Sequence, residues 1–374
     1  VSSLTQSPKP KTATAISRVL EESDATIDAE WDSFLADLGS NHHLQSSLWS
    51  QVKSANGWKS RRVVALQCGQ IVGGAQLLIR KIRLVGSVGY LPKGPILVND
   101  DADLAQELIL RIRQIASRER IKVLFIQPPQ YGCLSEQLVQ QGFRPSPVET
   151  APAATLLVDL TSELDTILSR MPKGMRNQIR RSQNRGITVR EGNQDDLPIF
   201  HQLLTSTSQR RGFSTFDLKY FQTMWDLFAP SGGMKLFLAE LGNEPVSAQF
   251  CIAFGDTVIA KQIGWSGLHG KLHPNEALDW NTIRWAKENG YKFYDLEGIE
   301  NPAAQAILDG DPLPMEYANS PTSYKLRLGG EVRINPGAYC FVSNPLLRSI
   351  YNRVGFQVAN WPIIHKAASR FRTG

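Results

Sequence analysis

Cysteine is scarce and scattered. The chain has 374 residues and four cysteines, Cys68, Cys133, Cys251 and Cys340. No pair has metal-ligand spacing and nothing suggests a disulfide framework, so all four are expected as buried or half-buried thiols. Histidine is rare too, with six residues. His269 and His273 stand four apart, but Pro274 follows directly. No helical metal pair is expected there, and no metal or other cofactor is assigned. No stretch approaches the roughly 18 apolar residues that would read as a membrane-spanning helix. Residues 1–18 carry Ser, Thr, Pro and Lys without an apolar core of signal-peptide type. That composition predicts a disordered leader over residues 1–24 and a cytoplasmic location. Excess charge is modest, at +6 with a pI near 9.1. It tolerates a polyanionic partner or an anionic membrane surface and requires neither.

What is present is a globular composition, 42% hydrophobic and 20% charged, on a chain too long for one ordinary core. The chain also repeats itself. Gly69-Gln70-Ile71-Val72-Gly73-Gly74-Ala75-Gln76 returns 173 residues later as Gly242-Asn243-Glu244-Pro245-Val246-Ser247-Ala248-Gln249. Each copy lies between two apolar runs, which predicts a β-hairpin. Further on, residues 116–125 parallel residues 286–295, each the end of an amphipathic helix entering a strand. Hairpin, strand, helix, strand in both halves fits an α/β acyltransferase module of the GNAT type, duplicated. The expected domains are residues 25–155, completed by 331–374, and residues 156–330. The apolar tail, with Tyr339, Phe341, Leu347, Tyr351 and Phe356, is expected to return to the first half.

Several stretches, in order, resemble the FemABX family of peptidoglycan aminoacyltransferases. They are Gln45-Ser46-Ser47-Leu48-Trp49-Ser50-Gln51-Val52-Lys53, then Gly89-Tyr90-Leu91-Pro92-Lys93-Gly94-Pro95, then Arg176-Asn177-Gln178-Ile179-Arg180-Arg181. Gly264-Trp265-Ser266, Tyr294-Asp295-Leu296-Glu297-Gly298-Ile299 and Tyr324-Lys325-Leu326-Arg327-Leu328-Gly329 complete the set. The resemblance implies two tandem GNAT-like domains. It also implies transfer of an amino acid from aminoacyl-tRNA, as co-substrate, to an amine of a UDP-linked or lipid-linked muropeptide. A monomer with peripheral contact at the inner membrane face is expected. Residues 191–234 hold no sustained heptads, so the coiled-coil arm of some members is expected to be absent.

Carried over residue by residue, the resemblance makes Lys325 the cation beside the oxyanion of ester aminolysis. Leu328 replaces the family's Phe nearby. Lys53 would contact acceptor phosphate, with Lys93 in the neighbouring turn. Tyr220 would line the acceptor site. The family's pattern often has Arg four residues before that tyrosine, whereas this chain has Phe216. Arg211, or Arg210, is a substitute source of charge, and Arg327 is a second cation. Read from the residues themselves, Lys173, Arg176, Arg180 and Arg181 form a basic helix face suited to RNA or a diphosphate. Asp295 is placed to take a proton from the attacking amine, or equally to satisfy a turn. Three other readings compete: a CoA-dependent acetyltransferase, an N-acyltransferase for an amine outside the cell wall, and a non-catalytic binding protein. The first needs a glycine-rich pyrophosphate loop. Asn99-Asp100-Asp101 in one half, and Pro274 with Glu276 in the other, supply it poorly.

Overall fold

The computed structural model describes residues 18–39, 42–82, 86–146, 148–346 and 348–349. The first half runs β1 (Arg18–Ser23), α1 (Ala29–Asp37), α2 (Ser47–Ser54), β2 (Trp58–Gln67), β3 (Gln70–Ile82), β4 (Gly86–Leu91), β5 (Ile96–Leu97), α3 (Ala102–Arg118), β6 (Ile121–Ile126), α4 (Cys133–Gln140) and β7 (Arg144–Pro145). The second runs β8 (Ala154–Asp159), α5 (Leu164–Arg170), α6 (Lys173–Asn184), β9 (Ile187–Glu191), α7 (Leu197–Arg211), α8 (Leu218–Phe228), β10 (Met234–Leu241), β11 (Glu244–Phe254) and β12 (Thr257–Trp265). It continues with α9 (Pro274–Glu288), β13 (Phe293–Asp295), α10 (Asn301–Leu308), α11 (Pro321–Leu326), β14 (Glu331–Ile334) and β15 (Tyr339–Val342).

Local chemistry sets many of these bounds. Asp28, Ser46 and Asp101 cap α1, α2 and α3 by accepting N–H bonds from the first turn. The repeated hairpins are β2–β3 and β10–β11, both antiparallel. Cys68 and Gly69 turn the first with φ of 52° and 76°, the left-handed pair that matches strand twist. Cys68 is therefore exposed, not buried or half-buried as expected.

The leader expected over residues 1–24 ends earlier. Arg18–Ser23 pairs antiparallel with β2 as an edge strand. Its Arg18 bonds Asp101 at the start of α3, and Glu22 pairs with Arg111 and Arg118. Residues 1–17 lie outside the described residues.

The two sheets have one plan. The first orders its strands β1-β2-β3-β4-β6-β15-β7, with β5 attached to β3. The second orders them β9-β10-β11-β12-β13-β8-β14. Matched position by position, β8 and β15 are equivalents that have changed places. β8 follows the first half in sequence but lies against β13 in the second sheet. β15 follows the second half but lies between β6 and β7 in the first. The segment expected to cross between the halves, residues 149–165, thus contains β8. Of the returning tail, β15 joins the first sheet while β14 pairs with β8 in the second. Leu347, Tyr351 and Phe356 lie outside the described side chains. Each half has its own core, and a third cluster crosses the seam. There Trp49, Val52 and Trp58 pack with Phe200, Phe221 and Phe250. Side chains of this size contribute about 1.5–3 kcal/mol each when fully buried, so apolar contact holds the halves together.

Candidate active site

The halves differ where a GNAT-like sheet can open. In the first, parallel strands β4 and β6 stay paired from Ser87 to Leu91. In the second, β12 pairs with β13 at only three positions, Thr257, Val258 and Ile259. Beyond Asp295 the chain keeps only its bonds to β8, with Leu296 N–H donating to Leu156 O at 3.0 Å and Gly298 N–H to Ala154 O at 3.1 Å. β12 runs on paired only with β11, and a split opens in the sheet.

Lys325 lies beside the departing strand. It sits near the end of α11, which begins with Pro321 after the capping Ser320. Its Nζ donates to the carbonyl oxygens of Glu297 and Gly298, the latter at 2.8 Å. Two fixed acceptors leave one ammonium proton for a further partner. Burial pulls its pKa down, against the charges of Glu297 and Asp295. Leu328, one turn on, is fully buried. Asp295 is buried, and its Oδ1 accepts from the Thr155 hydroxyl and from Glu297 N–H at 2.9 Å. These bonds tie the turn at Glu297 to β8.

A second acid, which sequence reasoning missed, stands behind Lys325. Asp279 on α9 accepts from Gln249 Nε2 at 2.8 Å, Tyr294 OH at 2.7 Å and Tyr324 OH at 2.6 Å. Thr282 bonds the other end of Gln249. Burial raises the Asp279 pKa, while these donors and Lys325 favour its charge. The signal was an acid on the apolar stripe of α9, between Ala277 and Ile283. Gln249 is the repeated glutamine. Its counterpart Gln76 is also buried and accepts from Arg62 at 2.7 Å.

A knot of charge lies at the seam. Glu297 is buried and takes Lys93 Nζ at 3.3 Å and Lys261 Nζ at 3.0 Å. Burial opposes its ionisation, but the two lysines outweigh that and hold its pKa well below the usual range. Lys93 comes from the first half, on a turn with φ of 46°. Gln45 braces that turn through Pro92 O at 2.6 Å. Lys53 is buried, and its Nζ lies 5.3 Å from the Trp49 ring centroid. Lys93, Lys261 and Lys325 thus meet on one segment, Glu297–Gly298, while Lys53 and Lys261 both lie over the Trp49 ring.

Other expected residues lie elsewhere or do other work. Tyr220 is buried and stacks on Phe216, with ring centroids 3.7 Å apart. Its pKa is pushed up by burial. Arg211 is exposed at the end of α7, beside the left-handed Gly212. Arg210 lies over the Trp265 ring and bonds Trp265 O at 2.6 Å. Arg327 donates to Gln178 and so ties α11 to α6. On α6, Lys173, Arg180 and Arg181 are exposed. Arg176 instead donates to Ser169 O and Met171 O, at 3.1 and 2.7 Å, closing the end of α5. No helix among the described residues is long and apolar enough to cross a membrane.

Comparison with known proteins agrees with this division. Residues 26–144 match the FemAB family model, and residues 169–304 match the acetyltransferase (GNAT) domain model. A lipid II:glycine glycyltransferase of Staphylococcus epidermidis is 27% identical over 227 residues, 58% of this chain and 55% of that protein. The chain therefore spans about half the length of the curated relatives it matches. The crystal structure of FemX superposes with a TM-score of 0.77 at 19% identity, covering 88% of this chain and 99% of that one. A tandem GNAT protein from the clavulanic acid biosynthesis pathway shares the fold, with a TM-score of 0.51 at 12% identity over 87% of this chain and 99% of its own. A FemAB match on the first half, a GNAT match on the second, and one strand plan used twice give two GNAT-like domains in tandem, with a likeness to the FemAB family over residues 26–144.

Proposed function

We propose that the protein is an aminoacyltransferase that moves an aminoacyl group from aminoacyl-tRNA to an amine of a peptidoglycan precursor. A lipid-linked muropeptide is the favoured acceptor, since the curated relatives are named for lipid II. One observation carries the chemistry: the Lys325 ammonium is clamped by two backbone carbonyls beside the split in the second sheet. When the acceptor amine attacks the donor ester, the carbonyl oxygen becomes an oxyanion. A positioned ammonium stabilises that charge more than it stabilises the neutral ester. Collapse of the intermediate expels the tRNA ribose oxygen, which takes a proton, and the amine loses one.

The helix ends speak against a CoA donor. Asp101 already accepts the Asp103 and Leu104 N–H groups at the start of α3. α9 opens with Pro274, which has no N–H, and carries Glu276 in its first turn. At α3 the first N–H groups are thus taken, and at α9 a proline and an acid stand where a pyrophosphate would lie. The test is a transfer assay with a panel of charged tRNAs and of lipid-linked, UDP-linked and non-cell-wall amines, run beside acetyl-CoA. Product only with a charged tRNA and a muropeptide is the expected result. Acetylation by acetyl-CoA, or saturable CoA binding by calorimetry, would overturn it.

A further inference from the structure

An ammonium that is to stabilise an oxyanion has to keep its proton and its place. Lys325 is held away from water, and lost hydration disfavours its charged form. Burial lowers its pKa, and Glu297, Asp295 and Glu300 along the strand exit, with Asp279 on α9, work against that. These acids are not equivalent. Glu297 is shared by Lys93 and Lys261, and Asp295 ties the turn to β8. The donors that touch Asp279 among the described residues are neutral, so no contact cancels its charge.

The bonds of Asp279 also reach both sides of the lysine clamp. Tyr324 OH donates to Oδ2 at 2.6 Å, and Tyr324 directly precedes Lys325 on α11. Tyr294 OH donates to Oδ1 at 2.7 Å, and Tyr294 lies on β13, the strand that runs out into the carbonyls of Glu297 and Gly298. Gln249 on β11 donates to Asp279 and to Tyr294 OH, and Thr282 fixes its other end. One carboxylate thus joins the helix that carries the ammonium to the strand that supplies its acceptors. Asp279 is 1% exposed, and in so dry a setting its charge acts over a longer range than it would in water. The titratable groups facing it are Glu276 on its own helix, Cys251 on β11, Tyr294 on β13, and Tyr324 and Lys325 on α11. His273 and Arg327 act in turn on Glu276.

We propose that Asp279 is the positioning residue of the catalytic lysine: its carboxylate sets the place of the Lys325 ammonium through Tyr324 and Tyr294, and its negative charge keeps that ammonium protonated. This rests on the role given to Lys325 in the reading above. The first half supports it by contrast. There the matching glutamine, Gln76, faces the Arg62 guanidinium, and the sheet stays closed. The buried acid goes with the half that opens.

The test compares Asp279→Asn, which removes the charge and keeps the size, with Tyr324→Phe, which removes one bond and keeps the charge. In the full chain without substrates, Lys325 is titrated by NMR of carbon-13-labelled lysine, its signal identified by its loss in Lys325→Met. Asp279→Asn should titrate Lys325 about one pH unit below the wild type, a tenfold change in proton affinity. Tyr324→Phe should leave the midpoint in place. In the transfer assay, Asp279→Asn should lower kcat by about tenfold and start the alkaline loss of rate at a lower pH, with KM for both substrates little changed. Tyr324→Phe should lower kcat severalfold without moving the pH profile. An acid with a purely structural role would alter the unfolding curve and leave the Lys325 titration alone. If no charged tRNA supports transfer to any acceptor, the aminoacyltransferase reading fails while the NMR titration still judges Asp279. An Asp279→Asn protein in which Lys325 titrates as in the wild type overturns the proposal. Should that variant not fold, a Tyr324→Phe protein with wild-type kcat overturns it instead.

Discussion

The two halves share a strand plan and a repeated glutamine, yet they use that glutamine for opposite charges. In the first half Gln76 accepts from Arg62, a buried cation answered by Asp28 at 2.9 Å. In the second half Gln249 donates to Asp279, a buried anion answered only by neutral donors in direct contact. The sheets differ in the same sense. β4 and β6 stay zipped, while β12 and β13 part after three pairs. Duplication left one half free to close and to serve as a wall that supplies Lys53 and Lys93. The other kept the opening and gathered Lys325, Asp279 and Glu297 around it.

The largest expected effect breaks this comparison at Lys325. Lys325→Met should lower kcat by about 100- to 1000-fold, because the ammonium gains most of its interaction only as the oxyanion forms. KM should change little. Lys93→Met, on the supporting half, should act mainly on KM. Steady-state kinetics of both variants decide it, and equal losses of kcat would mean that the halves share the chemistry.

Next comes stability. Arg62→Met removes a buried cation and leaves Gln76 Oε1 and Asp28 without it. Breaking a buried pair costs about 3–5 kcal/mol, and Asp28, being partly exposed, places this one near the lower end. Asp279→Asn keeps one acceptor, and its amide can donate to Tyr324 Oη, so the cost should be about 1 kcal/mol. Denaturant unfolding of the two variants measures the gap. Equal costs would show that the buried charges are not the organising feature.

Much of the fold could be read from the chain, and the reasons are local. The left-handed pair Cys68-Gly69 and the matching Gly242 marked the hairpins. The period of Leu104, Leu108, Ile109 and Ile112 marked α3, whose apolar stripe is buried. The exchange of β8 and β15 was not legible, because alternation shows that a strand is half-buried and not which sheet it joins. Motif order pointed to Lys325 but not to its setting on α11, which Ser320 and Pro321 fix. Lys261 escaped because its partner, Glu297, stands 36 residues away in sequence. Tyr220 and Arg176 were singled out for chemistry, and each is engaged in packing or capping.

A smaller effect separates two buried acids of the second half by sign. Glu297 has a lowered pKa in the fold, so it contributes stability above its unfolded pKa of about 4.3, lost as pH falls through the folded value. The deficit of Glu297→Gln relative to wild type should therefore grow as pH rises through the acid range and then level off. Asp279 has a raised pKa, so the folded wild type holds a proton that the unfolded chain has lost. Its stability drops as pH rises from about 3.9 towards the folded value, and Asp279→Asn should gain on wild type over that window. Unfolding curves at a series of pH values check both signs, and parallel trends would contradict this account.

The smallest expected effect concerns the basic face of α6, and it is measured as a slope. Lys173 and Arg176 stand in the first turn of α6, which holds no acid. Cations there oppose the helix dipole, so their presence needs an offsetting gain. Arg176 has one in the carbonyls of Ser169 and Met171. Lys173, Arg180 and Arg181 are exposed, and a phosphate backbone would supply theirs. Each phosphate contact releases counterions and adds about 0.7 to 0.9 to the slope of log K against log salt. Changing Lys173, Arg180 and Arg181 together to Gln should flatten that slope for charged tRNA by about 2, while Arg176→Gln should leave it alone and cost about 1 kcal/mol of stability. Binding measured at four or more salt concentrations gives both slopes. If the triple variant keeps the wild-type slope, the RNA does not lie on α6. If Arg176→Gln flattens it instead, the residue that closes α5 also touches the nucleic acid, and the split between supporting and substrate-binding residues fails at that position.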